Sequence, residues 1–278
     1  MSYYKIFGLN KEPFSTSPDP EFFYRSAGHD SALKRLEIAV RLRRGLSLIV
    51  GDVGAGKTTL SRLLVQVFDA EPDFISHIIF DPVFNSEQEF LLRLARSLGA
   101  PARGKPAIEL KEGIERYLFQ KGVNENKTVV LVIDEGQKLT PANIEIVRTL
   151  LNYETNEYKL LQVVIFAQTE ILPKLRDIPN FTERISLKYT INPLDERETK
   201  EMIAFRLKQA GHIGPVSLYT DAALKLIYAL SQGCPRRITM FCHDALEKAV
   251  MRDKDIVDEA IVQELAEVTN ERQCVAGR

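Results

Sequence analysis

Three cysteines, Cys234, Cys242 and Cys274, are all that the 278 residues contain. An odd number without paired spacing excludes a disulfide framework and a cysteine-based zinc site, and it fits a reduced interior. The four histidines, His29, His77, His212 and His243, show no metal-ligand spacing either. An excess of one charge is also missing: 37 Lys and Arg face 38 Asp and Glu, a net charge of −1. The chain as a whole is therefore no general electrostatic surface for nucleic acid or an anionic membrane. No apolar run approaches the roughly 20 residues that cross a bilayer. The opening Met1-Ser2-Tyr3-Tyr4-Lys5 leads into polar, Pro-rich sequence, unlike a secretory leader. The expectation is a cytoplasmic chain with no direct membrane insertion, any membrane role being carried by a partner. Internal repeats and low-complexity tracts are absent as well.

What is present is concentrated first at residues 51–58. Gly51-Asp52-Val53-Gly54-Ala55-Gly56-Lys57-Thr58 is a complete G-x-x-x-x-G-K-[ST] loop. It follows the apolar run Leu46–Val50 and precedes the helical pattern that starts at Thr59, the strand-loop-helix setting the motif requires. Glycines let successive backbone N–H groups turn toward one anion, and the helix N-terminus adds partial positive charge. Residues Gly51, Asp52, Val53, Gly54, Ala55, Gly56, Lys57, Thr58 and Thr59 are the candidate phosphate cradle. Lys57 suits the β- and γ-phosphates and the Thr58 hydroxyl suits Mg²⁺. ATP and Mg²⁺ are the expected ligands.

Around this loop the periodicity changes three times. Residues 1–45 contain a Pro- and aromatic-rich arm, with Phe7, Phe14, Phe22, Phe23 and Tyr24, and then an amphipathic helix from about Asp30 to Arg44. The arm's aromatics call for burial, so it is expected to pack on the core that follows. Residues 46–192 alternate strands (46–50, 75–80, 128–133, 160–167, 185–191) with helices (57–68, 87–98, 107–120, 143–153). That alternation implies a three-layer α/β sandwich around a parallel sheet. Residues 193–278 carry helical patterns only, at about 195–210, 221–230, 235–252 and 255–270, and read as a small all-helical lid. Arg41, Arg43 and Arg44 read as a solvated helix end, and Cys242-His243 as helix packing.

The remaining candidates follow from position. Asp134-Glu135 ends the apolar strand at 128–133, and a carboxylate there sits where open α/β sheets bind ligands. Asp134 joins Thr58 as a Mg²⁺ ligand, and Glu135 is the candidate base for an attacking water. Gln168 ends the next buried strand and is a candidate partner of that water or of the γ-phosphate, or else a polar helix start. Arg184, just before the last strand, is either a stabiliser of phosphoryl-transfer charge or a surface ion pair. In Gly233-Cys234-Pro235-Arg236-Arg237, a helix start in the lid, Arg236 is the candidate γ-phosphate sensor and Arg237 its solvated neighbour.

Taken with the arm's Tyr4…Phe7-Gly8-Leu9…Pro13-Phe14…Pro18-Asp19-Pro20-Glu21-Phe22-Phe23-Tyr24 and His29…Ala32-Leu33, these motifs resemble the AAA+ ATPases, and among them the ExeA/GspA general-secretion group. Asp134-Glu135-Gly136-Gln137 resembles that group's Walker B, with Gly136 where Ala is usual. Leu151-Asn152-Tyr153-Glu154-Thr155 and Gln168-Thr169-Glu170 resemble its helix end and first sensor. Gly233-Cys234-Pro235-Arg236-Arg237-Ile238 resembles its second sensor. The resemblance implies an ATP hydrolase that assembles as a homo-oligomeric ring or partial ring. Arg184 would then act on a neighbour's nucleotide and Arg236 on its own subunit's, with Phe14 and His29 near the adenine. It implies a protein partner in secretion or envelope assembly, at the inner membrane face. The soluble transposition regulators of MuB and TniB type share the core, which keeps ATP-dependent DNA binding as the alternative and a small-molecule kinase as a third reading.

Overall fold

The computed structural model describes residues 2–15, 19–100, 102, 104–214 and 217–276, with side chains as far as residue 267. Pro18 of the arm and the side chain of Cys274 lie outside the described residues. The chain runs α1 (Tyr3–Ile6), α2 (Ala27–Arg41), β1 (Leu46–Gly51), α3 (Lys57–Asp69), β2 (Phe74–Ile79), α4 (Glu87–Ser97), α5 (Ala107–Phe119) and β3 (Thr128–Ile133). It continues with α6 (Pro141–Leu150), β4 (Leu161–Ala167), α7 (Ile171–Arg176), α8 (Pro179–Thr182) and β5 (Ile185–Ile191). Four helices close it: α9 (Glu196–Gln209), α10 (Asp221–Ser231), α11 (Pro235–Met251) and α12 (Glu259–Ala276). Among the described residues no helix is long and apolar enough to cross a membrane.

Two compact units emerge. One comprises Ala27–Asp52 and Leu60–Ile191, the other Met1–Ser26, Val53–Thr59 and Asn192–Arg278.

The first of these is an α/β unit built on a five-stranded sheet in the order β2-β3-β4-β1-β5. Every neighbouring pair is parallel. β1, β3 and β4 are buried at every position, which is why their sequences are near-continuous apolar runs. β5 alternates between exposed and half-buried residues and β2 is mostly half-buried, as edge strands are. β4 lies between β3 and β1, so the strand ending in Asp134 is separated from the phosphate-loop strand by the one that ends before Gln168. The buried Gln162 within β4 is satisfied: its Oε1 accepts from Gly45 N at 2.8 Å and its Nε2 donates to Lys159 O at 2.8 Å. The basic cluster after α2 is not simply solvated. Arg41 makes a bidentate pair with Glu71. Arg43 stacks 4.3 Å over Tyr158 and donates to Thr128 and Asn126.

In the helical unit, α9 to α12 share one apolar cluster with Leu9, Phe14 and Phe22 of the arm. The arm, expected on the sheet core, thus buries its aromatics among the C-terminal helices. Arg206 of α9 explains the choice. It is 8% exposed, and its guanidinium donates to Pro13 O (2.8 Å), Ser15 O (2.9 Å) and Thr239 Oγ1 (2.8 Å). Burial pushes its pKa down, and its three acceptors are the compensation a buried cation requires. α9 opens with a capping box between Asp195 and Glu198. α12 starts at Glu259, later than the pattern at 255 suggests. Val257 is held in a parallel bridge with Tyr219, and Asp258 accepts from Ile261 N at 3.1 Å to start the helix.

Candidate functional site

In the α/β unit the site residues converge at the C-terminal ends of β3 and β4. Asp134 follows β3 directly, is 1% exposed, and its backbone N–H donates to Ile79 O at 2.8 Å. Its Oδ1 accepts from the N–H of Glu135 at 3.0 Å. That contact accompanies a left-handed backbone at Glu135 (φ 53°), an unusual conformation for a residue with a side chain and one that concentrates at functional sites. The Glu135 carboxylate Oε2 accepts from Gln137 Nε2 at 2.7 Å and, more loosely, from Gln168 Nε2 at 3.4 Å. Gln137 Oε1 in turn accepts from the backbone N–H of Gln168 at 3.0 Å, and Lys174 Nζ donates to Gln137 O. Two amides from adjacent strand ends therefore fix one carboxylate. Asp52, one residue past β1, accepts from Thr169 Oγ1 at 3.4 Å.

Gly136 stands where a Cβ would meet Ile165 Cγ2 at 2.3 Å and Phe166 O at 3.2 Å. Ile165 is 1% exposed in the centre of β4 and has little room to yield. Gly136→Ala is expected to lower unfolding stability by about 1–3 kcal/mol through overpacking, read as a reduced denaturation midpoint at an unchanged slope. An unchanged midpoint would mean that β4 accommodates the methyl group.

In the helical unit, the loop residues Val53–Thr59 meet the start of α11. Gly54 has φ +80°, and a Cβ there would lie 2.6 Å from Arg236 Cβ and 3.1 Å from Cys234 Sγ. Only a glycine permits that approach. Cys234 Sγ donates to Val53 O at 3.4 Å. Lys57 is buried, at 6% exposure. Of the paired arginines, Arg237 donates to Leu230 O at 2.5 Å, while Arg236 lays its aliphatic stem along the loop.

The AAA domain family matches residues 40–175. General secretion pathway protein A of Aeromonas hydrophila is 34% identical over 252 residues, which is 90% of this chain and 45% of that protein. This chain belongs to the AAA+ family, in its GspA-like group. It spans about half the length of the curated relatives it matches, 45% and 44%. Solved structures share the fold. The Drosophila ORC bound to DNA matches with a TM-score of 0.70 at 20% identity, over 95% of this chain and 65% of that one. The Aeropyrum pernix ORC2 protein matches with 0.64 at 18%, over 92% and 71%.

In this AAA+ chain the sheet separates Arg184 from the other α/β site residues. Arg184 precedes β5, whose first residue, Ile185, pairs with Leu46 at the start of β1. Asp134, Glu135 and Gln168 lie past the opposite ends of parallel strands, roughly 20 Å away along six residues of strand. Arg184 stands instead near α6. There the Glu145 carboxyl is held below its ordinary range, first by the hydrogen bond from Arg148 and to a smaller extent by the charges of Arg148 and Arg184. Phe14, 1% exposed, is committed to the helical cluster, edge-on to Tyr219 at 6.1 Å. His29 is buried in the α/β unit at 2% exposure. Gln137 enters the Walker B resemblance without a role of its own. It was visible two positions after Glu135, but the turn that aims its amide back at that carboxylate was not.

Proposed function

We propose that this chain binds Mg-ATP, hydrolyses it, and couples the cycle to assembly or remodelling of a partner complex of secretion or envelope machinery. The observation that carries the reading is the Glu135 carboxylate, fixed by Gln137 and Gln168 at the strand ends in a chain with a complete phosphate loop. In the proposed mechanism the backbone N–H groups of residues 51–58 and the Lys57 ammonium bind the phosphates. Thr58 and Asp134 offer the oxygen donors that Mg²⁺ prefers. The ion's contribution, when bound, is to neutralise charge on the β- and γ-phosphates. Glu135 takes the proton of the attacking water, with Gln137 and Gln168 fixing the carboxylate so that one oxygen edge remains for that water. Gln168 and Arg236 respond to the γ-phosphate, and Arg184 serves the nucleotide of a neighbouring subunit in a homo-oligomer. One relative, named for the general secretion pathway, supports a protein partner.

The test of binding is titration of Mg-ATP into the wild type and Lys57→Ala. Loss of a charge-assisted contact of about 1.5–3 kcal/mol weakens affinity roughly 10- to 150-fold. Equal affinities would remove Lys57 from the site. Adding double-stranded DNA to the same titration separates the partners. On this reading DNA leaves ATP affinity and turnover unchanged, whereas salt-sensitive DNA retention would favour the transposition-type alternative.

A further inference from the structure

Within the helical unit lies a cluster that the nucleotide reading leaves unused. His243 of α11 stands between two carboxylates. Its Nδ1 is 3.2 Å from Glu12 Oε1, and its Nε2 is 3.6 Å from Glu247 Oε1, one helical turn on. The Tyr3 hydroxyl lies 2.9 Å from Nδ1, and the Tyr3 ring meets the imidazole edge-on with centroids 5.0 Å apart. One ligand atom each of His243, Asp244 and Glu247 falls within a 4.8 Å sphere of mutual distances. Tyr3, Glu12, His243 and Glu247 line a cavity of about 440 Å³ with Tyr4, Ile6 and Met251, and the exposed Asp244 stands beside them on α11.

Glu21, Glu196, Glu201, Asp258 and Glu264 each pair with a Lys or Arg. Among the described ion pairs, Glu12 and Glu247 have His243 as their basic partner.

We propose that His243, Asp244 and Glu247 form a binding site for a borderline transition-metal cation, zinc in the first instance. An i,i+4 His/Glu pair puts a nitrogen and an oxygen donor on one helix face at a separation that a tetrahedral ion can bridge. Mixed nitrogen and oxygen donors favour zinc over Mg²⁺, which prefers an all-oxygen shell. Metal-bound histidines regularly have an outer partner on the other ring nitrogen that fixes tautomer and ring orientation; here the Tyr3 hydroxyl at 2.9 Å and the Glu12 carboxylate at 3.2 Å stand at Nδ1. Because Glu12 and Tyr3 belong to the arm and the ligands to α11, zinc at this point fastens the arm to the lid helix. The cavity leaves space for a water ligand, or for a donor from another molecule, in the fourth position.

The experiment is calorimetric titration of ZnCl₂ into the full chain near neutral pH, without nucleotide, repeated with MgCl₂. The wild type is expected to take up one zinc ion per chain, and an excess of Mg²⁺ is expected not to displace it. His243→Asn and Glu247→Gln should each weaken that binding at least ~10-fold, and Glu12→Gln about 10-fold through lost orientation. Glu247 is half exposed, so its variant keeps the fold and the test stands even if His243→Asn is unstable. Zinc uptake that is unchanged in Glu247→Gln, uptake that instead disappears in Cys234→Ser, or no saturable uptake by the wild type would each overturn the site.

Discussion

Glu135→Gln is expected to bind Mg-ATP as the wild type does and to release phosphate about 10²- to 10⁴-fold more slowly, the range over which a positioned general base contributes. The substitution keeps size and shape but removes the basic oxygen. Its amide oxygen can still accept from Gln137 Nε2, which donates at 2.7 Å in the native arrangement, so the turn after β3 is retained. Binding and turnover therefore separate in this variant, read by nucleotide titration and by phosphate release on the same preparation. Turnover like that of the wild type would remove Glu135 from the mechanism.

Arg184→Ala is expected to lower turnover by about 10³-fold while leaving nucleotide affinity nearly unchanged, the behaviour of an arginine that acts on transition-state charge. Its position makes the effect intermolecular. The strand it precedes starts beside Leu46, at the end of the sheet opposite Asp134 and Glu135. A side chain there cannot reach across six residues of strand to its own subunit's Glu135, so any action of Arg184 on turnover has to come from a neighbouring subunit. Mixing Arg184→Ala with Glu135→Gln tests this directly. Each is inactive alone, and together they form interfaces that pair an intact Glu135 with an intact Arg184. Recovered phosphate release is the expected result. A mixture as silent as its components would assign Arg184 to the local network of Glu145 and Arg148.

The buried strands were legible because their surroundings leave no choice. A strand covered on both faces, such as Val129–Ile133, has to be apolar throughout, and the carboxylates ending it stand out. The phosphate loop was legible because few sequences other than a glycine-rich anion cradle have that spacing. Helix starts were less so. α6 begins at Pro141 with Thr140 as its cap, two residues before the apolar pattern suggests, because a cap is set by one side-chain hydrogen bond. The arm shows a deeper limit. Its aromatics announced burial, but burial of Phe14 and Phe22 is equally compatible with either unit. The deciding contact is Arg206, 191 and 193 residues away from the carbonyls it holds. Gln137 is the same problem at short range, since its role depends on a left-handed turn at Glu135 that composition does not encode. In the His243 cluster the i,i+4 pair of His243 and Glu247 on α11 is visible in the sequence, but the approach of Glu12 and Tyr3 from the arm is not.

The measurement that bears most directly on the central claim is phosphate release from Mg-ATP per subunit as a function of protein concentration, with Glu135→Gln as the blank. Release above the blank is expected, with a specific rate that rises with concentration as subunits bring Arg184 to one another's nucleotide. Release no greater than the blank at any concentration would contradict that claim.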